Sequence, residues 1–425
     1  MLKQAVYARR NHTAILAVVF SLLLCGSAQA ADTLRLGLTS TLRQVIPGPD
    51  GGAWAGVYSY EHSRIIRVMP QGALRPTPVE YLAGGDGGLG PDNQAWFLEG
   101  RGVTRIDAAG TKTAIPLENV PFGQLATGPD GNAWLTGNDV ILRVAPDGAT
   151  SPMPLTVPNC PEFRPFALTR ASDGAMWFSD RCGLVRLAPG GTPTVVADSR
   201  RVWARKLVGD QQGGVWFSTD HAPGGGHVAA SGRVTPLKSK DPFGMQDVAV
   251  APDGSAWFAG GKCTLSRASA DGTLTPQRTA IPAWYVGFDP AGGLWLGSLA
   301  RLQHTTLDAP AGRCDDTPPS ARIVPDPSKP VSLATLRRQG GFKITVREPF
   351  AIEGYVIDSE ADEAIAGILR AVTARGGRTV RIAMSDRLLR RVARHTGQPL
   401  SLFADVRDRE GNYASGLEYE LRFKP

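Results

Sequence analysis

An all-β chain, a seven-bladed β-propeller followed by a small Ig-like β-sandwich, is predicted by three observations. Trp54, Trp96, Trp134, Trp177, Trp216, Trp257 and Trp295 recur at intervals of 38 to 43 residues. Each follows a turn-forming run such as PGPDGGAW, TGPDGNAW or VAPDGSAW. After each Trp comes a second apolar run that ends in turn residues, as in RIIRVMPQG, GVTRIDAAG and VILRVAPDG. A period near forty, with one turn and one buried aromatic per unit, is the pattern of one four-stranded blade per repeat.

The third repeat shows the elements in order. Gly123 to Thr127 reads as the innermost strand. Gly128-Pro129-Asp130-Gly131 is a turn, because Pro presets φ and Gly accepts positive φ. Ala133 to Thr136 and Val140 to Ala145 read as the second and third strands, and Pro146-Asp147-Gly148 turns the chain into the fourth. The fifth repeat, GHVAASG, is a degenerate form of the third strand. The last repeat has strands at Trp284–Phe288, Leu294–Gly297 and Leu302–Thr306 but no fourth. An unassigned strand, Leu34–Leu38, precedes the first repeat and is expected to complete the seventh blade, which removes the open sheet edges.

Residues 1–30 read as a signal peptide: Lys3, Arg9 and Arg10, then the apolar run Ala14–Leu24, then Ala28-Gln29-Ala30. The run is too short to span a bilayer, and Leu24 before Cys25 is not the small residue of a lipoprotein signal. The expected domains are the propeller at 31–314, a linker at 315–319 and the sandwich at 320–425. Asp315-Asp316-Thr317-Pro318-Pro319 is expected to be an extended, protease-sensitive spacer between separable units. In the tail FKITVREP, IEGYVID, RTVRIAM, LSLFADVRD and LEYELRF read as short strands. Two short helices are expected among them, one capped by Ser385-Asp386 with Leu388, Leu389 and Val392 facing inward.

Charge limits the partners. The leader holds three basic residues and no acidic ones, and from Asp316 onward there are 18 basic and 14 acidic residues. The propeller between is therefore neutral, which argues against binding nucleic acid through phosphates. The arginine-rich run Arg370–Arg394 is a solvated surface or a contact to anionic envelope polymers. Without the leader four cysteines remain. An even number in an exported chain implies disulfides: Cys160 with Cys182, from two loops at one mouth of the ring, and Cys263 with Cys314 as the remaining pair.

The repeat unit GPDGxxWFxE…RIxPxG resembles the streptogramin lyases (virginiamycin B lyase family), over Leu34 to about Thr306. That resemblance implies a seven-bladed propeller that opens a cyclic antibiotic by Mg²⁺-assisted C–O elimination. It places a Glu-x-His pair at the start of an inner strand and a Glu three residues after a Trp. The residues here at the His position are Arg43, Gly85, Gly123, Phe166, Arg205, Gln246 and Trp284. Two residues before them stand Thr41, Ala83, Pro121, Arg164, Trp203, Gly244 and Pro282. After the Trp stand Val57, Glu99, Gly137, Asp180, Thr219, Gly260 and Ser298, so Glu99 and Asp180 are the carboxylates. The family's constellation is not matched. His62, His221 and His227 are placed in or near loops on the same mouth, His304 in the last repeat and His395 in the tail.

Two readings stay open. Arg43, Arg164, Phe166, Trp203, Arg205, Gln246 and Trp284 form an aromatic–arginine rim that binds an anionic or sugar-like ligand by stacking and bidentate hydrogen bonds, or one that is merely solvated. The first makes the chain an exported, monomeric binding or scaffold module of the cell envelope. Its partner is a small molecule, a glycan or an envelope polymer, with no transmembrane segment after leader cleavage. The alternative is a metal-dependent C–O lyase, or a lactonase-type hydrolase, in which Glu99, Asp180 and a loop His serve Mg²⁺ and the base.

Overall fold

The computed structural model describes residues 32–36, 40–59, 64–70, 74–77, 87–99, 102–117, 123–137, 140–200, 202–221, 223–239, 244–348, 350–358, 363–372, 378–386, 389–390, 400–410 and 412–424. The leader, His62, Gly85 and His395 lie outside them, and the side chain of Glu99 is likewise not described.

From Asp32 to Thr305 the chain forms seven four-stranded sheets, the blades of a propeller. The third blade has strands at Leu125–Thr127, Ala133–Gly137, Val140–Val144 and Thr150–Met153. Six blades use four successive strands. The seventh joins Tyr285–Phe288, Leu294–Gly297 and Arg301–Thr305 to Asp32–Arg35, with Leu34 opposite Leu302. The N-terminal strand thus closes the ring, as its sequence position implied.

The turn before each Trp is built the same way in all seven blades. The residue three before the Trp takes a left-handed conformation. It is Gly at 51, 131, 174, 213, 254 and 292, with φ between 76° and 87°, and Asn93 at 58°. Asparagine is a residue that tolerates this region. Every repeat Trp is at most 7% exposed. Each belongs to a core shared with the next blade: Trp54 packs with Ala95 and Phe97, Trp177 with Leu207 and Phe217, and Trp295 with Leu42 and Val57 of the first blade. The seven Trp residues therefore hold the seven interfaces, each burying a large aromatic.

Opposite each Trp across the strand pair stands Arg67, Arg105, Arg143, Arg186, His227, Arg267 or His304. The arginines pair with the turn aspartate four residues before the Trp, as Arg67 does with Asp50 and Arg186 with Asp173 (2.5 Å). Arg67 also lies 4.1 Å above the Trp54 ring, a cation–π contact. In blades five and seven the aspartate has moved to six before the Trp, and the shorter histidine takes the place of arginine. His227 Nε2 is 2.6 Å from Asp210, and His304 Nε2 is 3.2 Å from Asp289. The His304 ring stacks on Trp295 with centroids 4.3 Å apart, and the His227 ring lies tilted against Trp216 at 4.5 Å. His227 is therefore a strand residue at the turn end of its blade, not a loop residue at the opposite mouth. The apparent degeneracy of GHVAASG is this exchange.

The tail has two antiparallel sheets around one core. Ala321–Val324, Gly341–Val346 and Arg378–Ala383 form one sheet. Glu363–Val372, Phe350–Asp358, Leu400–Asp408 and Tyr413–Leu421 form the other, in that order. Phe342, Ile344, Phe350, Ile352, Leu402 and Val406 fill the space between them. The five strand runs read from sequence are all present, and Glu363–Val372 is added as a further long strand. A helix at Leu333–Gln339 is capped by the Ser332 hydroxyl and ended by left-handed Gly340. The Leu389 amide donates to Ser385 O and Leu389 is buried, as the capped-helix reading requires; Leu388 and Val392 lie outside the described residues.

The linker is extended, as expected, and is tied at several points. Cys314 is disulfide-bonded to Cys263 of blade six. The Asp316 carboxylate accepts from Cys263 N (3.3 Å), and Asn412 Nδ2 donates to Asp315 O (2.9 Å). The turn after Leu400–Asp408 rests on blades one and seven. Buried Arg407 donates to Thr41 Oγ1 (2.5 Å), the Ser298 hydroxyl donates to Glu410 O (3.1 Å), and Arg301 pairs with the Glu410 carboxylate. These bonds join the two units in addition to the chain between them.

Candidate functional site

The candidate site lies where the innermost strands begin, at the end of the ring that carries the loops between second and third strands. A cavity of about 250 Å³ opens there. Arg43 of blade one, Gln124 of blade three, Arg205 of blade five and Gln246 of blade six line it, with Lys206, Asp247 and Tyr285 just inside. The inner strands converge on the axis, so residues as far apart in sequence as Gln124 and Arg205, 81 positions, meet there.

Arg43 is aimed by an irregularity. The register of strand Ser40–Pro47 slips between Leu42 and Gln44, leaving Arg43 as the extra residue of a bulge. Such bulges redirect a side chain next to a site. Arg43 is exposed, stands 5.4 Å from the Tyr58 ring and has no carboxylate partner among the described residues. Gln246 also lines the cavity with an amide that has no hydrogen-bond partner among the described residues. Gln124 Nε2 donates to Arg205 O (2.9 Å), bridging blades three and five, and Arg205 pairs with Asp220 (2.9 Å). Asp247 is already committed. Lys206 lies 2.5 Å from one oxygen, and Val286 N donates to the other at 2.9 Å.

Three of the sequence-predicted residues, Arg43, Arg205 and Gln246, thus meet at the cavity. Phe166 and Trp203 form a separate rim pair, their centroids 5.4 Å apart, and Trp203 is 61% exposed. Trp284 is half-buried against Gly261 and does not line the cavity. Arg164 serves through its backbone amide, which donates to Asp180. Sequence reading missed Gln44, Gln124, Lys206, Asp247 and Tyr285. They stand one residue after the positions compared with the resemblance, or at the same place in neighbouring strands. Scanning the next register position would have found them.

Among the described residues, Asp180 is the carboxylate of the pair expected to hold Mg²⁺, and its oxygens are already engaged. Asp180 is 1% exposed, and its oxygens accept from Arg164 N and from Cys182 N (2.7 Å). It pins the two loops joined by the Cys160–Cys182 disulfide, which forms as expected. Those sulfurs lie beside Asp180 but, being oxidised, offer no thiolate to a cation. Thr41 and Ser298, at two other positions where the resemblance would place carboxylates, hold the tail instead. His221 is exposed on its loop, and His227 and His304 sit at the other end of the blades.

A wider cavity of about 510 Å³ opens at that other end. Its carboxylate, Asp210, is held by His227 and by the amides of Gln212 and Gly214. Thr127, Thr169, Arg170 and Ser172 line it as well.

Comparison with known proteins agrees with the fold. The chain is similar to the solved streptogramin B lyase, with 17% identity, 65% of this chain and 96% of that chain covered, and a TM-score of 0.54. It is equally similar to virginiamycin B lyase from Staphylococcus aureus, with 18% identity, 65% and 98% covered, and a TM-score of 0.54. The extracellular domain of a hybrid two-component system from B. thetaiotaomicron aligns over 94% of this chain and 60% of its own, at 12% identity and a TM-score of 0.52. No curated protein matches the chain. The model of the Virginiamycin B lyase family matches residues 28–268, more than half of the sequence, and the chain belongs to that family.

Proposed function

We propose that the protein is an exported binding module whose channel mouth takes a small anionic, hydroxyl-rich ligand. The observation that carries this is the convergence of Arg43, Gln124, Arg205 and Gln246 from four blades on one cavity. Guanidinium groups suit a carboxylate, and a Gln amide both donates and accepts, as a hydroxyl does. The leader and the two disulfides support export. The tail, in this reading an Ig-like accessory domain, steadies one side of the mouth.

The test is a thermal-shift titration of the mature protein with galacturonate, glucuronate and glucose. The acids should raise Tm and glucose should not, because only they engage the guanidinium groups; Arg43→Gln and Arg205→Gln should each reduce the rise. Equal shifts with glucose, or none with the acids, would reject the reading.

Family membership favours a second reading, a Mg²⁺-dependent C–O lyase. Elimination needs a base beside the acidic proton and a cation to take up negative charge. Arginine stays protonated and cannot be that base. Incubation with a type B streptogramin and Mg²⁺, followed by mass spectrometry, should show no ring opening. Turnover abolished by a chelator would establish the lyase.

A further inference from the structure

We propose that Trp203 and Phe166 form an outer subsite, so that the mouth takes an acidic oligosaccharide by its end: one unit in the cavity, the next ring on Trp203. This deepens the binding reading above and rests on it.

Four observations converge. The cavity, about 250 Å³, is smaller than the roughly 300–1,000 Å³ of pockets that enclose a drug-sized ligand. It holds one small unit, and anything longer must project out. On the side of blades one and seven the way is taken by the tail, whose turn is fixed by Arg407 to Thr41 and by Ser298 to Glu410. Blade five lies across the ring from that joint, and there Trp203 stands two residues before Arg205. A chain of two residues spans at most about 7 Å, close to the length of one sugar unit. Finally, Trp203 is the exposed large hydrophobic among the described residues, at 61%, whereas the repeat Trp residues are buried. Phe166 supports it at 5.4 Å and leaves part of the indole to solvent.

A flat, exposed indole presents an apolar face for stacking. Two residues from Arg205, which lines the cavity with Arg43 and Gln246, that face matches a ligand with a carboxylate, hydroxyls and a flat apolar side. An acidic sugar has all three, whereas an acidic peptide such as triglutamate offers carboxylates and backbone amides but no flat apolar ring face for the indole.

The experiment is calorimetric titration of the full mature chain with galacturonate, its α-1,4-linked trimer and triglutamate. The trimer should bind at least about tenfold tighter than the monomer, a gain of the size expected for one stacked ring. Trp203→Ala should bring the trimer down to the monomer's affinity, and Trp203→Phe should restore most of the gain. Arg43→Gln should weaken both sugars. A trimer no tighter than the monomer, or a gain that survives Trp203→Ala, overturns the outer subsite while monomer binding leaves the mouth reading intact. Triglutamate binding as tightly as the trimer overturns the sugar assignment. If neither sugar binds, the mouth reading and the subsite fall together.

Discussion

The two ends of the channel differ in how strictly they repeat. At the turn end every blade has the same parts: a left-handed residue, a buried Trp and an aspartate joined to a basic side chain from the third strand. At the loop end no two blades carry the same residue set. Arg43, Gln124, Lys206, Asp247 and Tyr285 follow one another round the ring. The repeated end serves the interfaces, which are alike in every blade, and repetition there is a packing requirement. The varied end is free of that requirement, so its chemistry is available for recognition.

Substitutions at the two ends should therefore act on different quantities. Trp177→Ala removes a fully buried ring from the interface of blades four and five and should cost about 3–5 kcal/mol of stability. Trp203→Ala, on an exposed ring, should change stability by less than about 0.5 kcal/mol. Denaturant unfolding checks both; comparable losses would erase the distinction between the ends.

Next in size is the exchange of latches. His304→Arg places a longer cation opposite an aspartate that stands six, not four, residues before the Trp. It should cost about 1–2 kcal/mol through the lost Asp289 bond and Trp295 stacking. Adding Ala291→Asp restores the spacing of the arginine blades and should recover part of that loss. A double-mutant cycle with no coupling would show that the correlated shift of the aspartate is incidental.

The smallest effects concern pH, and they have opposite signs in the ring and at the joint. Burial acts to raise the Asp130 pKa, but hydrogen bonds from Trp134 and Asn132 outweigh it and hold the group below its usual value. Its folded pKa is depressed, so its stabilisation is present above the ordinary carboxylate pKa and fades as pH falls through the lower folded value. Asp130→Asn should flatten that part of the acid-unfolding curve. Asp408 and Glu348 behave oppositely. Burial, with Asp315 near both and Asp408 near Glu348, pushes their pKa values up. A raised folded pKa gives a contribution that is complete below the unfolded pKa and lost as pH rises through the folded one. Glu348→Gln should therefore stabilise the protein at neutral pH, by less than about 1 kcal/mol for so partly buried a group. The gain should vanish as pH falls through the carboxylate range. A pH-independent gain would trace the effect to packing instead.

How much was legible differs along the chain for physical reasons. The turn end is local: Pro-Asp-Gly, the left-handed residue and the Trp lie within six residues, so a linear pattern carries the whole device. Ring closure by Leu34 and the two disulfides also followed, from a missing strand in the last repeat and from an even cysteine count. The strand Glu363–Val372 did not, because its three Ala and one Gly dilute the signal of Ile365, Ile368 and Val372 and no polar–apolar alternation marks it.

The sequence by itself determined the architecture, since one short pattern repeated seven times dictates seven equivalent blades and a Trp at every interface. The sequence also placed Arg43, Arg205 and Gln246 at the mouth, and the tertiary structure decided how they and their neighbours meet there. Arg43 points there because a one-residue slip redirects it, Gln124 and Arg205 meet although 81 residues apart, and the tail turn settles on Thr41 and Ser298 from more than a hundred residues away. Those relations depend on how far each strand leans toward the axis and where a distant loop comes to rest, and no spacing along the chain encodes either.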